Sequence, residues 1–150
     1  PVEGAPPALA AVREQANELL DGGDEAFQQR LDQLQGTPVV VNKWASWCGP
    51  CRLEFPYFQS QATERGSEVA FLGVGGNDSE AALATFLEQL PLPYPTYVDP
   101  DLEIAKELGG LTQAFPATAF YDSSGELVFT YNGSYTSEED LAADIDRYAG

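Results

Sequence analysis

Histidine and methionine are absent from this 150-residue chain, and cysteine occurs twice. Each shortage excludes a chemistry. Metal sites that need imidazole are lost, and two sulfurs cannot fill a tetrahedral structural zinc site without borrowed ligands. Copper carriage by thioether sulfur goes with the methionines, so no metal is expected. Basic residues are scarce as well: 7 Lys+Arg stand against 24 Asp+Glu, a net charge of −17. That balance argues against nucleic acid and anionic membrane surfaces and favours neutral or basic partners. No apolar run approaches the ~18 to 20 residues of a membrane span, and no basic-then-apolar leader is visible. The chain opens on Pro1 and lacks Met, so residues upstream are expected in the translated protein.

What is present is enough for one globular domain: 43% of the residues are hydrophobic, sufficient to bury a core at this length. Both cysteines lie in Trp44-Ala45-Ser46-Trp47-Cys48-Gly49-Pro50-Cys51-Arg52-Leu53-Glu54-Phe55-Pro56. The β-branched run Val39-Val40-Val41 before it predicts a buried strand, and a helical segment follows it. Cys48 is therefore expected at a helix N-terminus, where unpaired N–H groups and the helix dipole stabilise a thiolate. It is the expected attacking sulfur. Cys51, one turn further in, is close enough to close a disulfide and is the expected resolving sulfur. Pro50 suits a first helical turn, where its missing N–H is no loss. A purely structural bridge is the competing reading, but a loop this short staples almost nothing. Redox exchange is the better account.

Along the rest of the chain, residues 1–7 read as a Pro/Gly/Ala-rich tether. Apolar residues Leu9, Val12, Ala16, Leu19 and Leu20 predict a helix over 8–20, and a second helix capped by Asp24 carries Phe27, Leu31 and Leu34. Residues 1–35 thus form a tether and helical extension, with 36–150 as the main domain. There, strands are predicted at 38–44, 69–74, 95–98, 117–121 and 127–131. Helices are predicted at 49–65, 79–89, 101–108 and from Ser137 on, with Gly75-Gly76 placed in a loop. Pro56 is expected to kink the first of these helices. The pattern gives an α/β mixed sheet covered by helices on both faces.

The motif Val-Asn-x-Trp-Ala-Ser-Trp-Cys-Gly-Pro-Cys-Arg-x-Glu-x-Pro at 41–56, with Phe115-Pro116-Ala117-Thr118-Ala119-Phe120-Tyr121-Asp122 further on, resembles the thioredoxin superfamily. Within it, the chain resembles the extracytoplasmic TlpA-, ResA- and DsbE-like branch from about residue 36 onward. The resemblance implies a thioredoxin-like fold with a central helix-strand insertion and a redox-active disulfide as its sole cofactor. It also implies a removed signal peptide or membrane anchor and a location outside the cytoplasm. Its implied partners are protein thiols and disulfides, apocytochrome c or other exported proteins among them, and an extracytoplasmic electron donor or acceptor. A monomer is expected. Pro116 takes the place of the family's cis-proline beside the sulfurs, so that the backbone of Phe115 can pair with an extended client. Phe115 itself departs from the smaller or β-branched residues common there.

Several residues carry expectations of their own. Glu54, one helical turn past Cys51, is a candidate proton acceptor for the resolving thiol if burial raises its pKa; an exposed acid near a helix N-terminus is the alternative. Asn42 replaces the buried Asp of thioredoxins proper, and an amide cannot titrate. Lys43 stands where the family has an apolar residue and is expected either to snorkel or to pair with an acid such as Asp78. Arg52 is expected on a solvated helix face or countering the acidic field. Trp47, Gly49, Pro50 and Phe115 are the candidate client contacts. Besides thiol-disulfide exchange in either direction, two readings compete: an inert binding module on the same fold, and a peroxiredoxin-like peroxidase. The second is opposed by Ala45, which stands where a peroxidatic Cys has a Thr three residues before it.

Overall fold

The computed structural model describes residues 6–109 and 113–149. Residues 1–5 of the expected tether lie outside them. The chain order is α1 (Pro7–Glu14), β1 (Leu19–Leu20), α2 (Gly23–Gln33), β2 (Val39–Trp44), α3 (Gly49–Glu64), β3 (Ala70–Gly76), α4 (Glu80–Gln89) and β4 (Thr96–Asp99). After these come a 3-10 turn (Ala105–Glu107), β5 (Ala117–Tyr121), β6 (Leu127–Asn132) and α5 (Glu138–Tyr148). Six strands form one mixed sheet in the order β1-β4-β3-β2-β5-β6. The first four of that order pair in parallel, while β5 runs antiparallel to both β2 and β6.

Central position explains the β2 sequence. Every residue of β2 is buried, as a strand covered on both faces requires. Side chains alternate across it. Val40, Asn42 and Trp44 face α3, as Trp44 shows by packing on Phe55 at 5.0 Å. Lys43 faces the other way, toward the side where α2 packs on β4 through Phe27 and Tyr97, 5.6 Å apart. The C-terminal end of β2 then leads directly into the cysteine turn.

Three predicted elements differ. The helix expected over 8–20 stops at Glu14 because Asn17 adopts φ +65°. Its side chain accepts from the Leu92 N–H (2.8 Å) and donates to the Leu87 carbonyl (3.3 Å), which turns the chain. Leu19 and Leu20 then pair with Thr96 and Tyr97 as an edge strand. The helix expected over 101–108 shrinks to a 3-10 turn, since Leu102 sits at φ +61° and Asp99 captures the Ile104 and Ala105 N–H groups at 3.0 and 2.9 Å. Gly75 and Gly76, expected in a loop, extend β3. A Cβ on Gly75 would fall 2.6 Å from Leu83 Cδ1, so the glycine is what lets α4 approach. Asp24 lies inside the first turn of α2, whose N-cap is Gly22. The helix α3 runs on through Pro56. Among the described residues no helix is long and apolar enough to cross a membrane.

Candidate active site

Cys48 is the N-cap residue of α3 in extended backbone geometry, and its sulfur accepts the Cys51 N–H at 3.2 Å. The two cysteines are joined in a disulfide, with their Cα atoms 5.3 Å apart. Cys51 is fully buried; Cys48 is 4% exposed, less than an attacking sulfur suggests, because it folds back over the first turn of α3. Its neighbours Trp47, Gly49 and Pro50 are exposed, Trp47 at 54%. Cys48 thus lies just beneath an open rim. Negative charge developing on Cys48 meets the helix N-terminus there, which lowers a thiol pKa.

Three loops converge on this turn. The Phe115–Pro116 peptide is cis, and the Phe115 ring packs on Trp47 with centroids 4.8 Å apart. The Pro116 carbonyl accepts the Gly133 N–H at 2.8 Å, while Ser134 Oγ donates to the Pro50 carbonyl at 3.2 Å. The cysteine turn, the proline loop and the 133–135 loop therefore form one continuous rim. Trp47 is itself pinned, its indole N–H donating to the Asn77 carbonyl at 3.0 Å.

Glu54 is buried, with no exposed surface, on the α3 side of the sheet. Desolvation pushes its carboxyl up to about 7, partly opposed by the Tyr135 N–H (3.0 Å) and the Asn42 side-chain amide (2.8 Å). The exposed-acid alternative is thereby set aside: Glu54 is a buried carboxyl able to exchange a proton near neutral pH. Asn42 also donates to Thr118 Oγ1 at 3.3 Å, so it orients the carboxylate without titrating.

Arg52 is exposed on α3, the solvated helix position expected of it, whereas the expected snorkelling of Lys43 does not occur. Lys43 does not reach the surface and is 1% exposed. Burial lowers its amine to about 8, with the charge of Asp99 acting in the opposite sense. Asp78 is engaged by Ser46, whose N–H and Oγ approach it at 2.7 and 2.6 Å. Arg52 lies over the Phe86 ring, 4.7 Å from its centroid, and donates to Gln89. Asp99, Ser134 and Tyr135 were not singled out from sequence, where an acid before Pro100 and polar residues after Gly133 carry only a turn signal. Among the described residues no group of three or more His, Cys, Asp or Glu side chains is placed to hold a metal ion.

Comparison with known proteins places this geometry. The Redoxin family profile matches residues 11–145. The chain belongs to the Redoxin family. This Redoxin chain is 27% identical over 134 residues to the thiol-disulfide oxidoreductase ResA of Halalkalibacterium halodurans, covering 87% of this chain and 74% of that protein. Across the ResA proteins of several bacilli the span runs down to 59% of their length. Among solved structures, MTB DsbF superposes with a TM-score of 0.70 at 29% identity, covering 77% of this chain and 84% of that one. The pneumococcal exposed lipoprotein thioredoxin Etrx1 of Streptococcus pneumoniae gives 0.67 at 26%, covering 78% and 89%. The fold of this Redoxin chain is thioredoxin-like, and with its Cys48–Cys51 disulfide it is a thiol-disulfide oxidoreductase of the ResA type.

Proposed function

We propose that the chain reduces disulfides of exported proteins through Cys48 and Cys51, outside the cytoplasm. The Cys48 thiolate attacks one sulfur of a client disulfide, the client S–S bond breaks, and the other client sulfur leaves as thiolate. Cys51 then gives its proton to Glu54 and attacks Cys48. The mixed disulfide breaks, Cys48–Cys51 closes, and the second client sulfur departs and takes up a proton. Two electrons pass to the client, and an extracytoplasmic dithiol restores the starting state. The observation that carries this reading is the placement of Cys48 as the N-cap of α3 under an open rim, with the buried Glu54 carboxyl one turn past Cys51.

Reduction rather than oxidation is favoured by the Gly49-Pro50 dipeptide, which resembles reducing thioredoxins. The extracytoplasmic setting is supported by Etrx1, described as an exposed lipoprotein. Clients such as apocytochrome c fit the ResA likeness, and the net charge of −17 suits basic ones. Trp47, Gly49, Pro50 and Phe115 contact the client in this reading, and Pro116 holds the loop that aligns it.

The test is turnover of a protein disulfide with dithiothreitol as reductant. Cys48→Ser is expected to abolish it, while Cys51→Ser accumulates client-linked mixed disulfide. Equal rates for wild type and Cys48→Ser would make the disulfide inert and favour a binding module.

A further inference from the structure

Lys43 is the residue whose chemistry the exchange mechanism leaves unused. A lysine in the central strand, 1% exposed, carries a desolvation penalty that an apolar residue would avoid. Its surroundings on the α2 side of the sheet show what it does. The amine lies over the Phe115 ring, 4.3 Å from the centroid, within the range in which a cation is held by an aromatic face. Asp99 of β4 is the acid whose charge acts on it, and that carboxylate is fixed by two backbone N–H groups. The strand partners of Lys43, Val74 and Ala117, bring no charge.

A second observation shows that the ring has a dedicated seat. A Cβ on Gly76 would fall 3.1 Å from Phe115 Cζ and 2.9 Å from Leu102 Cδ2, so glycine in β3 makes the room that Phe115 occupies. The ring is thus gripped below by Gly76 and Lys43 and laterally by Trp47 at 4.8 Å. Trp47 has its own anchor at the Asn77 carbonyl. The exposed part of this pair is an apolar shelf on the rim that holds Cys48.

We propose that Lys43 is a specificity-determining positioning residue: its cation holds Phe115 against Trp47, and the shelf so formed selects client disulfides whose cysteine is flanked by an apolar side chain. This rests on the exchange reading above. In this role Lys43 acts through the Phe115 ring.

The experiment mixes reduced protein, freed of dithiothreitol, with excess of two peptide disulfides that differ only in a Leu or a Ser beside the cysteine. Single-turnover rates give a limiting rate and a half-saturating concentration for each. Wild type is expected to half-saturate with the Leu peptide at about tenfold lower concentration than with the Ser peptide, the discrimination an apolar contact of that size supports. In Lys43→Met that ratio falls to about twofold, with the change in limiting rate the smaller of the two effects. Wild type itself supplies an independent reading. Between pH 7 and pH 9.5 the amine, whose pKa lies at about 8, loses its charge, and the ratio falls in the same way. Cys48 ionisation cancels in it because both peptides meet the same thiolate. A ratio unchanged in Lys43→Met, or flat with pH in wild type if that variant does not fold, overturns the proposal. Equal half-saturation for both peptides in wild type, with hydroxyethyl disulfide still reduced, overturns the shelf alone. Failure to reduce any of the three overturns the exchange reading and this inference with it.

Discussion

Asn42 and Lys43 are adjacent in β2 but serve opposite sides of the sheet. Toward α3, Asn42 steadies a carboxyl that burial pushes up to about 7. Toward α2, Lys43 is an amine that burial lowers to about 8, and it lies beneath an aromatic ring on the rim around Cys48. Both groups have been moved toward neutral pH by the same cause, desolvation, acting on charges of opposite sign. One strand end thus supports two different tasks. In the exchange we propose, the α3 side manages the proton of the resolving thiol, and in the proposed selection the α2 side shapes what reaches the attacking one.

The contrast can be broken first on the α3 side. Glu54→Gln is expected to slow decay of the mixed disulfide by about 100-fold and to remove its inflection near pH 7, as loss of a positioned proton acceptor does. Stability responds too. The folded-state pKa of Glu54 is raised, so its favourable contribution is complete below about 4.5 and is lost as pH rises to about 7. Relative to Glu54→Gln, wild type should therefore lose about 3 kcal/mol across that window, read from urea unfolding at pH 4.5 and pH 8. An unchanged difference between the two proteins would place Glu54 outside any proton exchange. The α2 side has the opposite slope over a window of the same width. A lysine with a lowered pKa is charged in both states below about 8 and neutral only in the folded state from there to 10.5. Wild type should gain stability relative to Lys43→Met over that interval, and a parallel pair of pH-stability curves would contradict the burial of this amine.

The α3 side was the more legible in sequence. The spacing Cys48, Cys51, Glu54 on a helix that follows a β-branched run fixes face and order through helical periodicity alone. Whether Glu54 was buried depended on the 133–135 loop folding over it through the Tyr135 N–H, a contact 81 residues away that no local pattern carries. On the α2 side, Lys43 was legible only as an oddity. Its partner Asp99 comes from a distant strand and is aimed by a turn at Leu102 with φ +61°, a conformation that sequence preference opposes for leucine. The same kind of tertiary override drew Leu19 and Leu20 out of their apparent helical stripe and into the sheet edge, because the Asn17 turn offers backbone pairing to β4. Gly75 and Gly76 misled in the opposite direction, being strand residues chosen for close approach rather than for a turn.

The most direct test of the division of labour is the pH dependence of alkylation at each cysteine in the reduced protein, followed by mass spectrometry. The account predicts that Cys48 is modified first, with a midpoint below the ~8.5 of a free thiol, and that Cys51 reacts later with a higher midpoint. Preferential modification of Cys51, or a Cys48 midpoint at or above that of a free thiol, would contradict it.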